Sequence, residues 1–301
     1  MTLPKSSGRT MLSLGRIYCD MVFNGLDAMP VLGREQFAND FSITPGGGAL
    51  ITAAHAVAMG RPTALLARYG TDGVSQALEG QIQALGIDLS FLDRADDAGP
   101  QVTVVIVQDS ERAFLSRRAG TALPQTFEAA LESADAKHLH IAEYATLHEI
   151  PHAVSAAVDR GLTVSLDPSW DAELIRDPAF FERATGVSVF LPNLEEAREL
   201  SRTDDPEAAL DFLAGHFPIV AIKCGGDGAL LSMHGQKYRR STPVVDIVDT
   251  TGAGDAFNAG FLHAWLDGAD GAQCLASAIA SGTSSVQAVG GTGSLQLSVA
   301  S

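Results

Sequence analysis

The sequence predicts an α/β fold: a central, mostly parallel sheet with helices on both faces, plus a small β-sheet lid. Three observations carry this. Short β-rich runs at 139–141, 162–166, 219–222 and 244–248 alternate with helical patterns at 74–85, 195–200 and 253–266, the rhythm of βαβ units. Two segments, 20–43 and 101–117, break that rhythm. The 301 residues are 46% hydrophobic and 19% charged, enough for a large core, and no repeat or low-complexity linker divides them into successive domains.

The lid follows from the two irregular segments. Residues 20–43 lack a helical period and contain Gly25, Pro30 and Gly33. Residues 101–117 begin with the β-rich run 102–107, turn at Asp109-Ser110 and resume at Ala113-Phe114-Leu115. Both read as antiparallel strands outside the main sheet. The expected organisation is one domain over 1–301, with a lid inserted discontinuously from about 18–43 and 99–118. Such a lid would cover the carboxyl edge of the sheet, where open α/β sheets bind ligands.

Composition narrows the function. Twenty Lys and Arg against 36 Asp and Glu leave a formal charge of −16, a poor field for nucleic acid. Cys19, Cys224 and Cys274 are few and far apart, so neither a disulfide framework nor a zinc finger is expected. No run reaches the length of a membrane span; the best stretch, 49–67, is cut by His55 and by Gly60-Arg61-Pro62. After Lys5 and Arg9 the apolar run breaks at Ser13, Gly15 and Arg16, unlike a signal peptide. A soluble cytoplasmic protein is the expectation.

The run Asp249-Thr250-Thr251-Gly252-Ala253-Gly254-Asp255-Ala256-Phe257 carries the chemistry. It is expected at a turn between a strand at 244–248 and the helix at 253–266. Gly252 and Gly254 permit a tight turn and close approach to a ligand. Free N–H groups at the helix start, aided by its dipole, make an anion site, with Asp255 at its mouth. An anion hole beside a carboxylate suits phosphoryl transfer to an alcohol. The plainer reading is a turn followed by a first-turn acid that the dipole favours.

The full string resembles the C-terminal signature of the ribokinase family, the PfkB carbohydrate kinases. Four further stretches resemble the family in the same order. They are Pro45-Gly46-Gly47-Gly48 with the alanine-rich helix at 49–59, Gly70-Thr71-Asp72-Gly73 with Leu85-Gly86-Ile87-Asp88, Pro192-Asn193-Leu194-Glu195-Glu196-Ala197, and Ile222-Lys223-Cys224-Gly225-Gly226-Asp227-Gly228-Ala229. Together they span about 11–291.

The resemblance implies a ribokinase-like fold and a set of roles. Asp255 would be the base that deprotonates a sugar hydroxyl, with Gly252, Ala253 and Gly254 forming the anion hole. Asp20, Tyr18, Gly46, Gly47, Ile51 and Glu143 would contact the substrate. Asn193 and Glu196 would face Mg²⁺–ATP through phosphates and water, with Lys223, Gly225 and Gly228 along the nucleotide and adenine near 278–291. Asp249 would belong to a site for a monovalent cation such as K⁺. A homodimer paired through the lid would cover exposed strand edges. Two positions depart from the family: Ile51 stands where its Gly-Gly motif has Asn, and Tyr18 where ribokinases proper carry Asn. Both lost amides would bond sugar hydroxyls, which turns the reading away from ribose itself. Tyr18 could bond a hydroxyl, stack on a ring or nucleobase, or simply pack in the lid.

The implied reaction is ATP-dependent transfer of the γ-phosphoryl group to a primary hydroxyl of a monosaccharide or related small polyol. A nucleoside kinase and a non-catalytic sugar sensor are the alternatives. Other classes fail on residues. A dinucleotide fingerprint needs a third glycine where Phe257 or Ile51 stands, and no Gly-Lys-Ser/Thr of a P-loop occurs. His148-Glu149-Ile150-Pro151-His152 matches a zinc-protease pattern, but Pro151 is expected in a first helical turn with His148 outside that helix. His138 and His140, on one face of a predicted strand, read as structural.

Overall fold

The computed structural model describes residues 10–108, 111–133 and 135–297. The expectations at Lys5, at Arg9 and at the Asp109-Ser110 turn lie outside those residues. The strands are β1 (Thr10–Leu14), β2 (Tyr18–Asn24), β3 (Asp40–Gly46), β4 (Thr63–Leu66), β5 (Arg68–Tyr69), β6 (Asp93–Arg94), β7 (Val102–Gln108), β8 (Glu111–Arg117), β9 (Ala136–Ile141), β10 (Thr163–Leu166), β11 (Val189–Phe190), β12 (Ile219–Lys223), β13 (Ala229–Met233) and β14 (Gln236–Arg240). The helices are α1 (Gly48–Ala58), α2 (Gly73–Ala84), α3 (Phe127–Leu131), α4 (Tyr144–Glu149), α5 (Ala153–Asp159), α6 (Phe180–Arg183), α7 (Leu194–Ser201), α8 (Pro206–Ala214), α9 (Ala253–Leu266), α10 (Gly271–Ser285) and α11 (Gly293–Leu297).

Eight strands form the main sheet in the order β14-β13-β12-β11-β10-β9-β1-β4. The six from β12 to β4 pair in parallel, and β13 and β14 close one edge in antiparallel fashion. Parallel strands of this kind are buried on both faces, and side-chain alternation sorts their residues between the two. Leu12, Leu14, Leu139, Ile141, Val164 and Leu166 point to one face, packed with Phe127, Leu147, Val154, Phe180 and Leu210 from α3 to α8. Met11, Val189, Ile219 and Ala221 point to the other, against Phe257 and Phe261 of α9 and Leu275 and Ile279 of α10. Leu65 extends that second face against α1 and α2.

His138 and His140 lie on the α9 face and are fully buried. Their ring nitrogens meet the Thr163 and Ser165 hydroxyls at 2.8 Å, and the His138 ring packs edge-on to Trp265. Burial holds both below the usual imidazole range, His140 at about 4, so they are neutral core groups. That matches their structural reading.

The lid is a four-stranded sheet, β3-β2-β7-β8. Each expected segment forms an antiparallel pair, β2 with β3 and β7 with β8. The two pairs join through a parallel ladder between β2 and β7, which the local patterns do not encode. The first segment also runs further than 43, to Gly46.

Two expectations are corrected. Residues 244–248 are not a strand. Val244 and Ile247 are exposed, and the N–H groups of Val248 and Asp249 donate to Val286 O (2.8 and 3.1 Å) rather than to a neighbouring strand. Gly252 therefore sits at a loop-to-helix junction. Pro151 does not open a helix either: α4 ends at Glu149 and α5 begins at Ala153, with His152 as its N-cap. His148 lies in α4 and His152 caps α5, so the two histidines lie on different elements.

Among the described residues no helix is long and apolar enough to cross a membrane. Cys19, Cys224 and Cys274 are unpaired.

Candidate active site

The sheet places the polar residues at its carboxyl edge. β1 lies between β4 and β9, the kind of order reversal that opens a ligand crevice. Glu143 follows β9, Asp167 follows β10, Asn193 follows β11 and Lys223 ends β12. The lid strands β2 and β8 stand opposite, and α9 begins beside them.

Two cavities meet there. The larger, about 890 Å³, is polar and runs from lid to sheet; Tyr18, Asp20, Gly47 and Ile51 line it with Glu143 and Asp255. It also takes in Asn193, Glu196, Lys223 and Gly252. The smaller, about 390 Å³, is apolar. Gly225, Gly226 and Gly228 form one wall, and Val244, Ile247, Ile279 and Val286 contribute to the rest. Lys223 lines both, and α9 starts between them: Thr251, Gly252 and Asp255 face the larger, Thr250, Ala253 and Gly254 the smaller.

The sequence-predicted residues are thus brought together with few exceptions. Gly46 does not line the cavity but backs it: a side chain there would collide with the Asp20 carboxylate. Gly47, at φ 98°, packs against the Arg16 carbonyl. Gly252 caps α9 with φ 73°, and a Cβ on it would lie 2.7 Å from Gly291 Cα. No side chain caps that helix start, although the Ala253 N–H, expected in the anion hole, donates to Thr250 O at 3.3 Å. Asp249 stands apart: its two oxygens accept from Thr251 N (2.7 Å) and Gly290 N (2.8 Å), bracing the loop before α9.

Ile51 is buried and fills the space between Gly252 and Gly291. Tyr18 is mostly buried, its phenol raised by that burial and by the Glu143 charge, with a hydrogen bond from Arg118 acting the other way.

Electrostatics single out three carboxyls. Burial pushes Asp255 up to about 7, with Asp167 adding and Lys223 opposing. Burial and the Asp249 charge push Asp20 up to about 7. Glu196 is raised by burial and by Asp167. Such groups exchange a proton near neutrality. Glu196 also completes a reciprocal cap on α7, taking the Asn193 N–H at 2.8 Å while its own N–H bonds Asn193 Oδ1 at 2.8 Å. Glu143 is raised by burial and accepts from the Thr146 hydroxyl at 2.8 Å.

Sequence reasoning missed Asp167, Asn258 and Arg118. Asp167 accepts from Lys223 Nζ and from Asn258 Nδ2, both at 2.6 Å. Burial alone would lower the Lys223 pKa, but Asp167 and Glu196 reverse that and raise it. The signal for Asp167 was its place in Leu166-Asp167-Pro168, a carboxylate at the carboxyl end of a strand. Asn258 lies four residues after Gly254 on the inner face of α9. Arg118, just after β8, lines the larger cavity with Trp170 and donates to Asp171 at 3.0 Å.

A model described as the pfkB family carbohydrate kinase matches residues 20–297. An uncharacterized sugar kinase of Archaeoglobus fulgidus is 26% identical over 72% of this chain and 88% of its own length. An ATP-dependent ribose-1-phosphate kinase of Halopiger xanaduensis is 27% identical over 90% of each chain. Among solved structures, the Arabidopsis thaliana ribokinase complexed with ribose and ATP superposes with a TM-score of 0.81, at 21% identity, covering 96% of this chain and 98% of that one.

Proposed function

We propose, from the premise that this chain belongs to the pfkB family of carbohydrate kinases, that it transfers the γ-phosphoryl group of ATP to a primary hydroxyl of a monosaccharide or small polyol. The observation that carries the reading is the meeting of the two cavities at the start of α9. The apolar slot suits a flat base, and the polar cavity suits an acceptor and phosphates. Lys223 and the first turn of α9 lie where the two join.

Asp255 is the base. Its carboxylate takes the proton of the acceptor hydroxyl. The freed oxygen forms a bond to the γ-phosphorus as the bond from that phosphorus to the bridging oxygen breaks, and the electron pair leaves with ADP. The N–H groups around Gly252 and Gly254 stabilise the charge on the transferring group. Asp20, against Gly46, holds the acceptor's hydroxyls, and the lid excludes water that would otherwise take the phosphoryl group.

The residues fit a hydrated divalent cation. Glu196, Asn193 and Asp167 face the phosphate side of the cavity, and a cation there would favour ionised Glu196. Among the described residues no three His, Cys, Asp or Glu side chains converge to bind a metal directly, so contact through water and phosphates is the arrangement they suit. Bound Mg²⁺ neutralises phosphate charge. Asp249 braces the loop before α9, and a monovalent cation such as K⁺ beside it stays part of the proposal.

The wall charges favour an uncharged acceptor. Arg118 is paired with Asp171 and Lys223 with Asp167, while Glu143, Asp20 and Asp171 face the same space. A carboxylate or phosphate on the acceptor would meet three carboxyls and two engaged cations. Tyr18, Phe114 and Trp170 line that space too, the latter two 62% and 42% exposed, which favours a nucleoside as second reading. Exposed apolar residues on the lid, Phe41 and Leu115 among them, support a homodimer paired through it.

ADP release from Mg·ATP, measured across neutral sugars, sugar acids, sugar phosphates and nucleosides, tests the reading. At least one neutral sugar or nucleoside is expected to stimulate release. No stimulation by any compound would overturn the kinase reading in favour of a sensor, and stimulation by anionic sugars alone would overturn the charge argument.

A further inference from the structure

The zinc-protease look-alike left an acidic residue without a role, and the fold supplies one. Glu149 ends α4 on the sheet side of the molecule. Its carboxylate meets Arg16 Nη2 at 2.7 and 2.9 Å, a two-oxygen contact with a guanidinium only 3% exposed. Glu149 Oε2 also accepts the Ala122 N–H at 2.7 Å.

Arg16 stands where the chain passes between sheet and lid. There are four such passages. The first, between β1 and β2, contains Arg16 itself. The second, from β3 to α1, brings Gly47 so close to the Arg16 carbonyl that a side chain would collide with it. The fourth leaves β8, and Arg16 donates to two of its carbonyls, Ala119 O from Nη1 at 2.8 Å and Gly120 O from Nη2 at 3.1 Å. The third enters β7 at Gln101. Its amide bonds Ala119 in both directions (3.0 and 2.9 Å), and its carbonyl accepts the Cys19 N–H at 2.9 Å.

One buried guanidinium therefore bonds the fourth crossing directly and reaches the third through Ala119 and Gln101, while the second packs on the Arg16 backbone and one carboxylate ties the guanidinium to the sheet side. We propose that Arg16 and Glu149 form the hinge clamp of the lid. They are positioning residues that fix the lid over the acceptor while leaving the nucleotide slot untouched. The inference rests on the kinase reading only for its consequence in catalysis; the clamp itself is a mechanical statement about the free protein. The guanidinium spans the joint with both terminal nitrogens, Nη1 on Ala119 O and Nη2 on Gly120 O and the two Glu149 oxygens, so it resists rotation as well as separation. The Arg16 charge also acts on the substrate wall, lowering the pKa of both Tyr18 and Glu143. Among the described residues no lid residue lines the apolar slot, so a loosened lid leaves that slot as it was.

The test is hydrogen exchange on the full chain, with Glu149→Gln beside wild type and Mg²⁺ with β,γ-methylene-ATP as nucleotide probe. The clamp predicts at least about tenfold faster exchange in β7 and β8 of the variant, with β10 and α10 unchanged and nucleotide affinity within about twofold. Arg16→Lys, which keeps the charge but loses the fork, is expected to move the same lid amides. With the best acceptor from the panel, KM for acceptor should rise several-fold while KM for ATP stays. Equal acceleration of lid and core amides would show a merely structural pair and overturn the proposal. So would an unchanged lid. Should both variants fail to fold, wild type decides: Ala119 and Ala122 amides as slow as those of β1 support the clamp, and amides exchanging at unprotected rates refute it. A silent acceptor panel would leave the exchange result standing, so the two readings fail separately.

Discussion

Replacing Lys223 with Met perturbs the site at its electrostatic centre. Its side chain is 12% exposed and that of its partner Asp167 is 8% exposed, with 2.6 Å between Nζ and Oδ2. Removing one member of a buried pair leaves the other charge uncompensated, at a cost of roughly 3–5 kcal/mol. Unfolding entropy near 2.1 cal/mol/K per residue gives about 0.6 kcal/mol/K for this chain, so the expected loss is about 5–8 °C in Tm. The same change acts on catalysis. Lys223 holds down the pKa values of Asp255 and Glu196, which burial and Asp167 raise. Without it, the acidic limb of the kcat/KM profile should move above the value of about 7 that Asp255 has in the intact protein. Thermal unfolding and a pH–rate series with the best acceptor measure the two effects. Adding Asp167→Asn should recover part of the lost stability, because it removes the stranded charge. A Tm within 1 °C of wild type (about the measurement error on this entropy scale) together with an unmoved acidic limb would refute the reasoning.

Two further predictions concern pH and a glycine. Asp20 and Asp255 have folded pKa values raised to about 7 from an ordinary 3.8, so the stability they contribute is present at low pH and lost as pH rises through 7. The buried histidines 55, 138, 140 and 263 are shifted below 6.5, and their contribution is lost as pH falls through that value. Between pH 8.5 and 7 these two carboxyls and Glu196, also raised to about 7, take up protons in the folded state while unfolded histidines are still mostly neutral, so Tm of the unliganded protein should rise as pH falls across that window; a falling Tm there contradicts the burial of these carboxyls. Gly252→Ala places a Cβ at φ 73°, 2.7 Å from Gly291 Cα. The left-handed backbone costs about 1–2 kcal/mol, near 2–3 °C in Tm, and the displaced start of α9 should lower kcat at least about tenfold. Wild-type kcat in that variant would show that the helix start does not act on the transferring group.

What was legible in the sequence was local. The start of α9 was visible because two glycines and an acid precede a long apolar helical pattern, and the helix runs over 253–266 as read. The lid strands were visible because 101–117 opens on a β-rich run and 20–43 lacks a helical period, both outside the βαβ rhythm. The error at 244–248 has the same origin. Apolar alternation there marks side chains that face an apolar slot, with backbone bonds to the end of α10 instead of a ladder. Periodicity reports which way side chains point, and it is silent on what pairs with the backbone. Asp167 and Arg118 were not legible because their roles depend on partners 56 and 53 residues away, Lys223 and Asp171. Glu149 was misleading on its own, since the residue it serves lies 133 positions earlier. The parallel join between β2 and β7 is likewise a contact between distant segments.

The most direct test of the central claim is Asp255→Asn, with kcat measured at saturating Mg·ATP and the best acceptor. The amide keeps the shape of the side chain and cannot take a proton. If Asp255 is the base, kcat should fall by about 10²–10⁴, with Tm at pH 8 unchanged or raised because a buried carboxylate is removed. Turnover near that of wild type would contradict the account.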